Sequence, residues 1–470
     1  MSQTAPLPSP NPRRWIILLA VLTAGIMGPI DSSVVNVALP TIRQHFATSM
    51  SIVSWVAMAY LLVIGSLTLT FGRLGDMIGY RRVELTGIAV FTVASAVCAF
   101  APSIWVLIAF RAVQAVGAGM FMAMSQAIII SVFPPNERGR ALGVNGMLIA
   151  VGLALGPSLG GLLLTVWGWQ AIFTINIPIG ILSFMFCWSV VPAPKDLVPQ
   201  NFDVTGALLG FLFLASGLLV GSFGQDWGWT SYKAIATAAF ALAVGAAFIA
   251  WERRVPEPML DLSLFANRVF AAANFAALTN FVSQAAVTFL IPFYLQQVLR
   301  LSPAQAGLIL TASPLVVLLV APLSGALSDR LGTRWLAFAG QSIIVGAFLL
   351  MLTLTPATRP ADVFWRLMLF GLGSGLFQSP NNSAVMGNVP RHRLGIGSSV
   401  LATVRNVGMV VGIAVAGSVF AWRSAATLPA LGSIRSFMLG IKTAFGVSAV
   451  IALAGAMTSL VRKDVRAQAG

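Results

Sequence analysis

Gly72-Arg73-Leu74-Gly75-Asp76-Met77-Ile78-Gly79-Tyr80-Arg81 and Gly325-Ala326-Leu327-Ser328-Asp329-Arg330-Leu331-Gly332-Thr333-Arg334 are two copies of one pattern. Glycine, aspartate, glycine and arginine recur at identical spacing, and the copies start 253 residues apart. Each follows an apolar run long enough to cross a bilayer, for which about 20 residues suffice. A polar loop duplicated between apolar runs points to a membrane protein made of two related halves.

The composition agrees. Of 470 residues, 58% are hydrophobic and only 9% charged, and the mean hydropathy is +0.90. A soluble chain is roughly 25% charged, so a soluble globular protein is excluded. About fourteen apolar runs follow one another from residues 15–37 to 437–461. They are continuous rather than alternating, which excludes a transmembrane barrel. The first run follows Arg13 and Arg14 but is too long for a signal-peptide core, and reads as a retained helix. An even number of crossings puts both termini on one side. About 18 of the 28 lysines and arginines fall on the side of the N-terminus, so both termini are expected in the cytoplasm. The net charge of +15 thus reads as an orientation signal rather than a nucleic-acid surface. Cys98 and Cys187 lie in apolar runs and imply no disulfide framework.

At about 30 residues per span and loop, two six-helix halves would separate the copies by only about 200 residues. The surplus corresponds to two inserted helices. The expected division is a disordered tail over 1–12, a six-helix half over 13–191 and a linker with two inserted helices over 192–268. A second six-helix half follows over 269–461, then a tail over 462–470. The fold class is an all-α polytopic membrane protein with fourteen crossings.

Further elements carry a family resemblance. Gly72 to Arg82 resembles the G-x-x-x-D-R-x-G-R-R loop of the major facilitator superfamily, with Met77 where arginine is usual. Arg111-Ala112-Val113-Gln114 resembles its helix-4 element. Gly152, Gly156, Pro157, Gly160 and Gly161 resemble its helix-5 antiporter motif. Asp31-Ser32-Ser33-Val34-Val35-Asn36-Val37-Ala38-Leu39-Pro40 resembles the helix-1 signature of the fourteen-helix drug:proton antiporters of the EmrB/QacA type. Trp167-Gly168-Trp169 with Asn176-Ile177-Pro178-Ile179-Gly180 is similar to that subfamily too. The resemblance implies a multi-pass inner-membrane exporter that uses protons as coupling ion and needs no cofactor.

Asp31 reads as the only carboxylate well inside a helix. An acid at membrane depth is costly and suits a site that loads and releases a proton. A structural aspartate bonded to a neighbouring helix or to Asn36 is the plainer alternative. Arg111 is placed to pair with Asp31 in a proton-coupled switch; a static buried pair, or bonds to helix carbonyls, would serve equally. Gly72, Asp76, Gly79, Arg81, Arg82, Asp329, Arg330 and Arg334 read either as solvated topology signals or as a gate between the halves. The glycines around Pro157 read as tight helix packing with a kink; the resemblance adds sealing against leak.

Polar and soft residues deep in helices outline a candidate cavity: Met27, Gln114, Asn145, Asn280, Gln284, Gln378, Asn381, Asn382, Arg405 and Asn406. A break at Pro380-Asn381-Asn382 is expected to mark it. The run containing Arg405 and Asn406 has no acid, so neutral, zwitterionic or anionic amphiphiles suit it at least as well as dications. A Walker sequence is absent, which disfavours ATP-driven transport. His45 and His392 are not spaced as metal ligands, and no nucleophile–base pair suggests an enzyme. A small-molecule substrate and the bilayer are the expected partners, and a monomer suffices. A dedicated exporter of one metabolite, a non-transporting sensor on the same fold and a proton symporter for uptake are the alternatives.

Overall fold

The computed structural model describes residues 12–192, 203–255, 262–389 and 394–460. The expected tails over 1–12 and 462–470, apart from residue 12, lie outside the described residues, as do the side chains of Asp76 and Asp329; Gly72 is described only as part of the backbone of α3. Among the described residues every regular element is helical. The first eight helices are α1 (Arg14–Gly25), α2 (Met27–His45), α3 (Met50–Ile78), α4 (Tyr80–Ala99), α5 (Ile104–Val132), α6 (Pro135–Trp167), the short α7 (Ala171–Thr174) and α8 (Asn176–Val190). Then come α9 (Val204–Trp227) and α10 (Tyr232–Glu252). The rest are α11 (Arg268–Phe293) with a π turn at Tyr294–Val298, α12 (Pro303–Leu310), α13 (Ala312–Leu331), α14 (Thr333–Met351), α15 (Pro360–Gly387) and α16 (Leu394–Leu460).

The two ends of the bundle terminate helices differently. At one end serines open them: Ser49, Ser103 and Ser231 each accept a backbone N–H of the first turn, and Ser302 forms a capping box with Gln305. At the other end, α3 passes to α4 through Gly79 (φ 97°) and α13 passes to α14 through Gly332 (φ 83°). A side chain is strained at such φ values, so the second glycine of the repeated pattern is required by the backbone. This end is called the motif end below.

The internal repeat is visible in the packing. A Cβ on Gly87 of α4 would lie 2.8 Å from the carbonyl of Gly117 on α5, and one on Gly340 of α14 would lie 2.7 Å from the carbonyl of Gly373 on α15. Gly340 follows Gly87 by the same 253 residues that separate the two loops. Each half therefore joins its third and fourth long helices by glycine contacts that let backbones touch.

Twelve helices among the described residues are long and apolar enough to cross a membrane, against the fourteen expected. Two places account for the difference. α15 is long, but Asp362, Arg366, Gln378, Asn381 and Asn382 dilute its hydropathy. α16 merges two of the apolar runs and turns at Gly432 (φ 74°, ψ 172°). There the chain doubles back. Ser424 donates to the carbonyl of Ser436 at 3.3 Å, and the rings of Phe420 and Phe437 lie 4.9 Å apart. In a straight helix the latter pair would be about 25 Å apart at 1.5 Å per residue.

The inserted helices attach asymmetrically. α9 packs on α10, and also on α3 and α16, whereas α10 is held chiefly by α9. α9 thus lies over the line where α3 of the first half meets α16 of the second. Asp203, at the start of this pair, bonds the backbone N–H of Gly206 at 2.8 Å and the indole N–H of Trp251 at 2.9 Å.

Candidate functional site

Asp31 sits in the second turn of α2, just past the joint with α1, and is 1% exposed. Arg111 of α5, also 1% exposed, places Nη1 2.5 Å from its Oδ2. The same Nη1 is 2.7 Å from Oε1 of Gln114, and Nε donates to the carbonyl of Val56 on α3 at 3.0 Å. The Asp31 Oδ1 accepts from Gln114 Nε2 and from Asn176 Nδ2 of α8, both at 3.0 Å. Gln114 also reaches Ser95 Oγ of α4 at 2.7 Å. The guanidinium stacks on the Tyr60 ring, 4.1 Å from its centroid. Helices α2, α3, α4, α5 and α8 all contribute. Without these bonds, a buried charge pair would be strongly unfavourable.

Both sequence-derived partners are therefore in direct contact. Asn36 does not join them: its amide donates to the carbonyl of Ser32 at 2.9 Å. Gln114 belongs to this network rather than to a cavity. Asn176, Ser95 and Tyr60 were not singled out in the sequence. Asn176 was legible only inside the Asn-Ile-Pro-Ile-Gly element, because an isolated neutral polar residue in an apolar run carries no sign of its partner. Another expectation needs correction. Asp31 is not the sole buried helical carboxylate: Glu84, in α4, is 0% exposed, and α4 begins at Tyr80 and carries it inside the bundle.

The glycines of α6 have distinct neighbours. Cβ atoms on Gly152, Gly156 and Gly160 would meet α1–α2: Ile26 at 3.2 Å, Ser33 at 2.5 Å and Val34 at 2.8 Å. One on Gly161 would strike the carbonyl of Pro303, and one on Gly307 of α12 that of Pro157. This stretch of α6 thus packs on α1–α2 of its own half and on α12 of the other. Pro157 removes a donor from the carbonyl of Leu153, and Ser33 Oγ of α2 takes its place at 3.1 Å. The same repair recurs at Pro380, where Ser324 of α13 donates to the freed carbonyl of Leu376 at 2.9 Å. For that reason α15 continues through Pro380, and the expected break at Pro380-Asn381-Asn382 is absent.

Among the described residues, hydrogen bonds between the halves gather at the serine-capped end. Gln296 in the π turn donates to the carbonyl of Val37 at 2.8 Å, and Arg43 reaches Gln297 at 3.4 Å. Ser158 and Thr311 hydroxyls lie 2.6 Å apart, and Ala304 N–H meets Thr165 at 3.2 Å. That end is sealed.

The remaining cavity candidates divide. Met27, Asn145, Asn280, Asn381 and Asn406 are buried. Among the described residues, the side-chain amides of Asn280 and Asn381 have no hydrogen-bond partner at either atom. Asn406 lies against Gly65, whose Cβ would come within 2.9 Å of it. Gln284 and Gln378 are half-buried, and Asn382 and Arg405 are exposed. A guanidinium exposed within a spanning helix belongs against water rather than lipid. In the repeated motif, Arg81 donates to the carbonyl of Trp188 on α8 at 2.6 Å and stacks on its ring. Arg334 stacks on Trp335, while Arg82 and Arg330 are exposed. Among the described residues no cluster of potential metal ligands occurs.

The family model described as Major Facilitator Superfamily matches residues 21–413. The chain belongs to that superfamily, whose members are transporters rather than enzymes, and is a multi-pass membrane protein and secondary transporter. It is 36% identical to riboflavin transporter RibZ of Clostridioides difficile (strain 630), over 87% of this chain and 89% of that one. It is 35% identical to multidrug resistance protein Stp of Mycobacterium tuberculosis (strain CDC 1551 / Oshkosh), over 88% and 78% respectively. Among solved structures, a bacterial homolog of the human lysosomal transporter Spinster, inward-facing and unoccupied, superposes with a TM-score of 0.73. That match has 16% identity and covers 96% of this chain and 97% of that one, which shows the fold alone.

Proposed function

We propose that this chain is a proton-coupled antiporter that exports small lipophilic or amphiphilic compounds by alternating access. The observation that carries this reading is the Asp31–Arg111 pair, closed off from water and held by helices that must shift when the halves rock. Protonation of Asp31 cancels one charge of the pair and frees the guanidinium, so proton binding biases one conformation over the other. The relative named for multidrug resistance supports export, and the one named for riboflavin transport supports a small organic substrate.

In this reading the membrane is crossed fourteen times, with α15 as one crossing and the two arms of α16 as two. The excess of basic residues at the motif end supports cytoplasmic termini, with the sealed end facing outward. Asp76 and Asp329 with their flanking arginines gate the cytoplasmic side. Substrate binds between the halves against Gln284, Gln378, Asn382 and Arg405, which favours neutral, zwitterionic or anionic amphiphiles. A monomer suffices. A second reading, export of a single metabolite, is favoured by the match to a transporter named for one vitamin.

Everted membrane vesicles loaded with the full-length protein test the first reading. A panel of drugs, dyes and riboflavin should show uptake that collapses when the proton gradient is dissipated, and Asp31→Asn should abolish that dependence. Pumping by Asp31→Asn that still follows the gradient would remove Asp31 from the coupling role. Uptake of one compound alone would select the second reading.

A further inference from the structure

Glu84 has no part in the Asp31 network, yet it is the more isolated acid. Its side chain is 0% exposed, and among the described residues neither carboxyl oxygen has a hydrogen-bond partner. It faces apolar surroundings one turn inside the motif end of α4, on a helix that packs against α3, α5, α7 and α8. From α8 only Cys187 lies within electrostatic reach, and its thiol is directed to the carbonyl of Ala20 on α1 at 3.4 Å. α5 contributes no charge except Arg111, which is committed to Asp31, and α7 contributes none. α3 carries Arg73 and Asp76, whose side chains lie outside the described residues, and Tyr60, which stacks on Arg111. On α4 itself, Tyr80 and Arg82 precede Glu84, and Arg81 lies three residues before it, the spacing of neighbours on one helix face. Arg81 is turned away to the carbonyl of Trp188, and its Nε is buried without a partner.

From this isolation we infer that Glu84 is a second proton-binding site, independent of Asp31 and loaded in the conformation sealed at the far end. An ionised carboxylate that no described donor or cation reaches is costly inside a protein, whereas the neutral acid is not. Glu84 and Ser95 lie on the same face of α4, about 16 Å apart at 1.5 Å per residue, with Ile88 and Phe91 between them. Ser95 belongs to the Asp31 network, so α4 carries Glu84 near one end and touches that network near the other, with two apolar side chains between them. Arg81 is the cation placed to receive the charge. When the motif end rearranges and Arg81 leaves Trp188, it can swing to Glu84, the proton departs to the solvent on that side, and an ion pair replaces the neutral acid. The site concerns proton binding by the resting protein and stands whether or not Asp31 is the coupling acid.

Infrared difference spectroscopy of the purified full-length protein in detergent at neutral pH reads this directly, with no substrate. The wild type should show the C=O stretch of a protonated carboxylic acid at the high-frequency end of its band, where an acid without hydrogen bonds absorbs. Glu84→Gln should remove that component, and Asp31→Asn should leave it intact. Persistence of the full band in Glu84→Gln, or its loss in Asp31→Asn alone, overturns the assignment. If Glu84→Gln does not give monodisperse protein, Glu84→Leu replaces it, since an apolar side chain of similar size suits the pocket. A component retained in Glu84→Leu counts against the proposal in the same way.

Discussion

Arg111 grips Asp31 with one nitrogen, at 2.5 Å, while another nitrogen of the same guanidinium holds the backbone of α3 at Val56. The ion pair is therefore also a clamp between helices. Arg111→Ala leaves a buried carboxylate uncompensated, a loss of about 3–5 kcal/mol in other buried pairs. Asp31→Asn introduced together with Arg111→Ala should recover much of that loss. Thermal unfolding of the two single variants and the double variant in detergent forms the cycle, and strictly additive shifts would contradict a direct coupling. Arg111→Lys should fold but transport poorly, because an ammonium cannot hold Asp31, Gln114 and Val56 at once.

Ser33 and Ser324 do equivalent work in the two halves by satisfying carbonyls that prolines leave free. Ser33→Ala and Ser324→Ala should each cost about 0.6 kcal/mol, the average for interhelical hydrogen bonds in membranes. Paired melting curves against the wild type measure this. Restoring the missing helix donor should compensate, so Ser33→Ala combined with Pro157→Ala should melt closer to the wild type than Ser33→Ala alone.

Gly161 and Gly307 bring α6 and α12 into backbone contact at the sealed end. Gly161→Val should prevent that closure without disturbing either half, and so reduce transport at normal expression. The check is labelling of a Thr41→Cys variant by a membrane-impermeant maleimide, which should rise when Gly161→Val is added. Unchanged labelling with unchanged transport would show that the contact is not needed for the seal.

Arg14 and Glu137 form an ion pair at 2.8 Å near the motif end, and that bond holds the Glu137 carboxyl below the usual carboxylate range. Its folded-state value is depressed, so its contribution to stability is complete above the unfolded value and disappears as pH falls through the folded one. Glu137→Gln should therefore lower the unfolding temperature at pH 7 and have no effect in strong acid. The pair is partly exposed, so the difference should be small and should shrink in high salt.

Much of the architecture was legible because apolar run length and a repeated loop are properties of the chain in one dimension. Asp31 and Arg111 stood out for the same reason: a charge in an apolar run is conspicuous wherever the run goes. Asn176 and Ser95 were not legible, since what makes them important is the residue they face across 145 residues of sequence in the case of Asn176. Glu84 was not legible because it lies close to the basic stretch Tyr80–Arg82 that opens α4, and only the course of that helix decides whether it points to water or inward. Pro380 misled in the opposite direction. A proline in a span suggests a break, but a serine on another helix repaired it, and that serine could not be matched to it from spacing alone.

The dependence of α10 on α9 has a mechanical consequence. A helix pair moored at one line does not have to deform when the two halves tilt. α9 rides on the boundary between them, and α10, touching little else, follows as a passenger. The pair can thus curtain the boundary from lipid through the whole swing while adding almost no resistance to it.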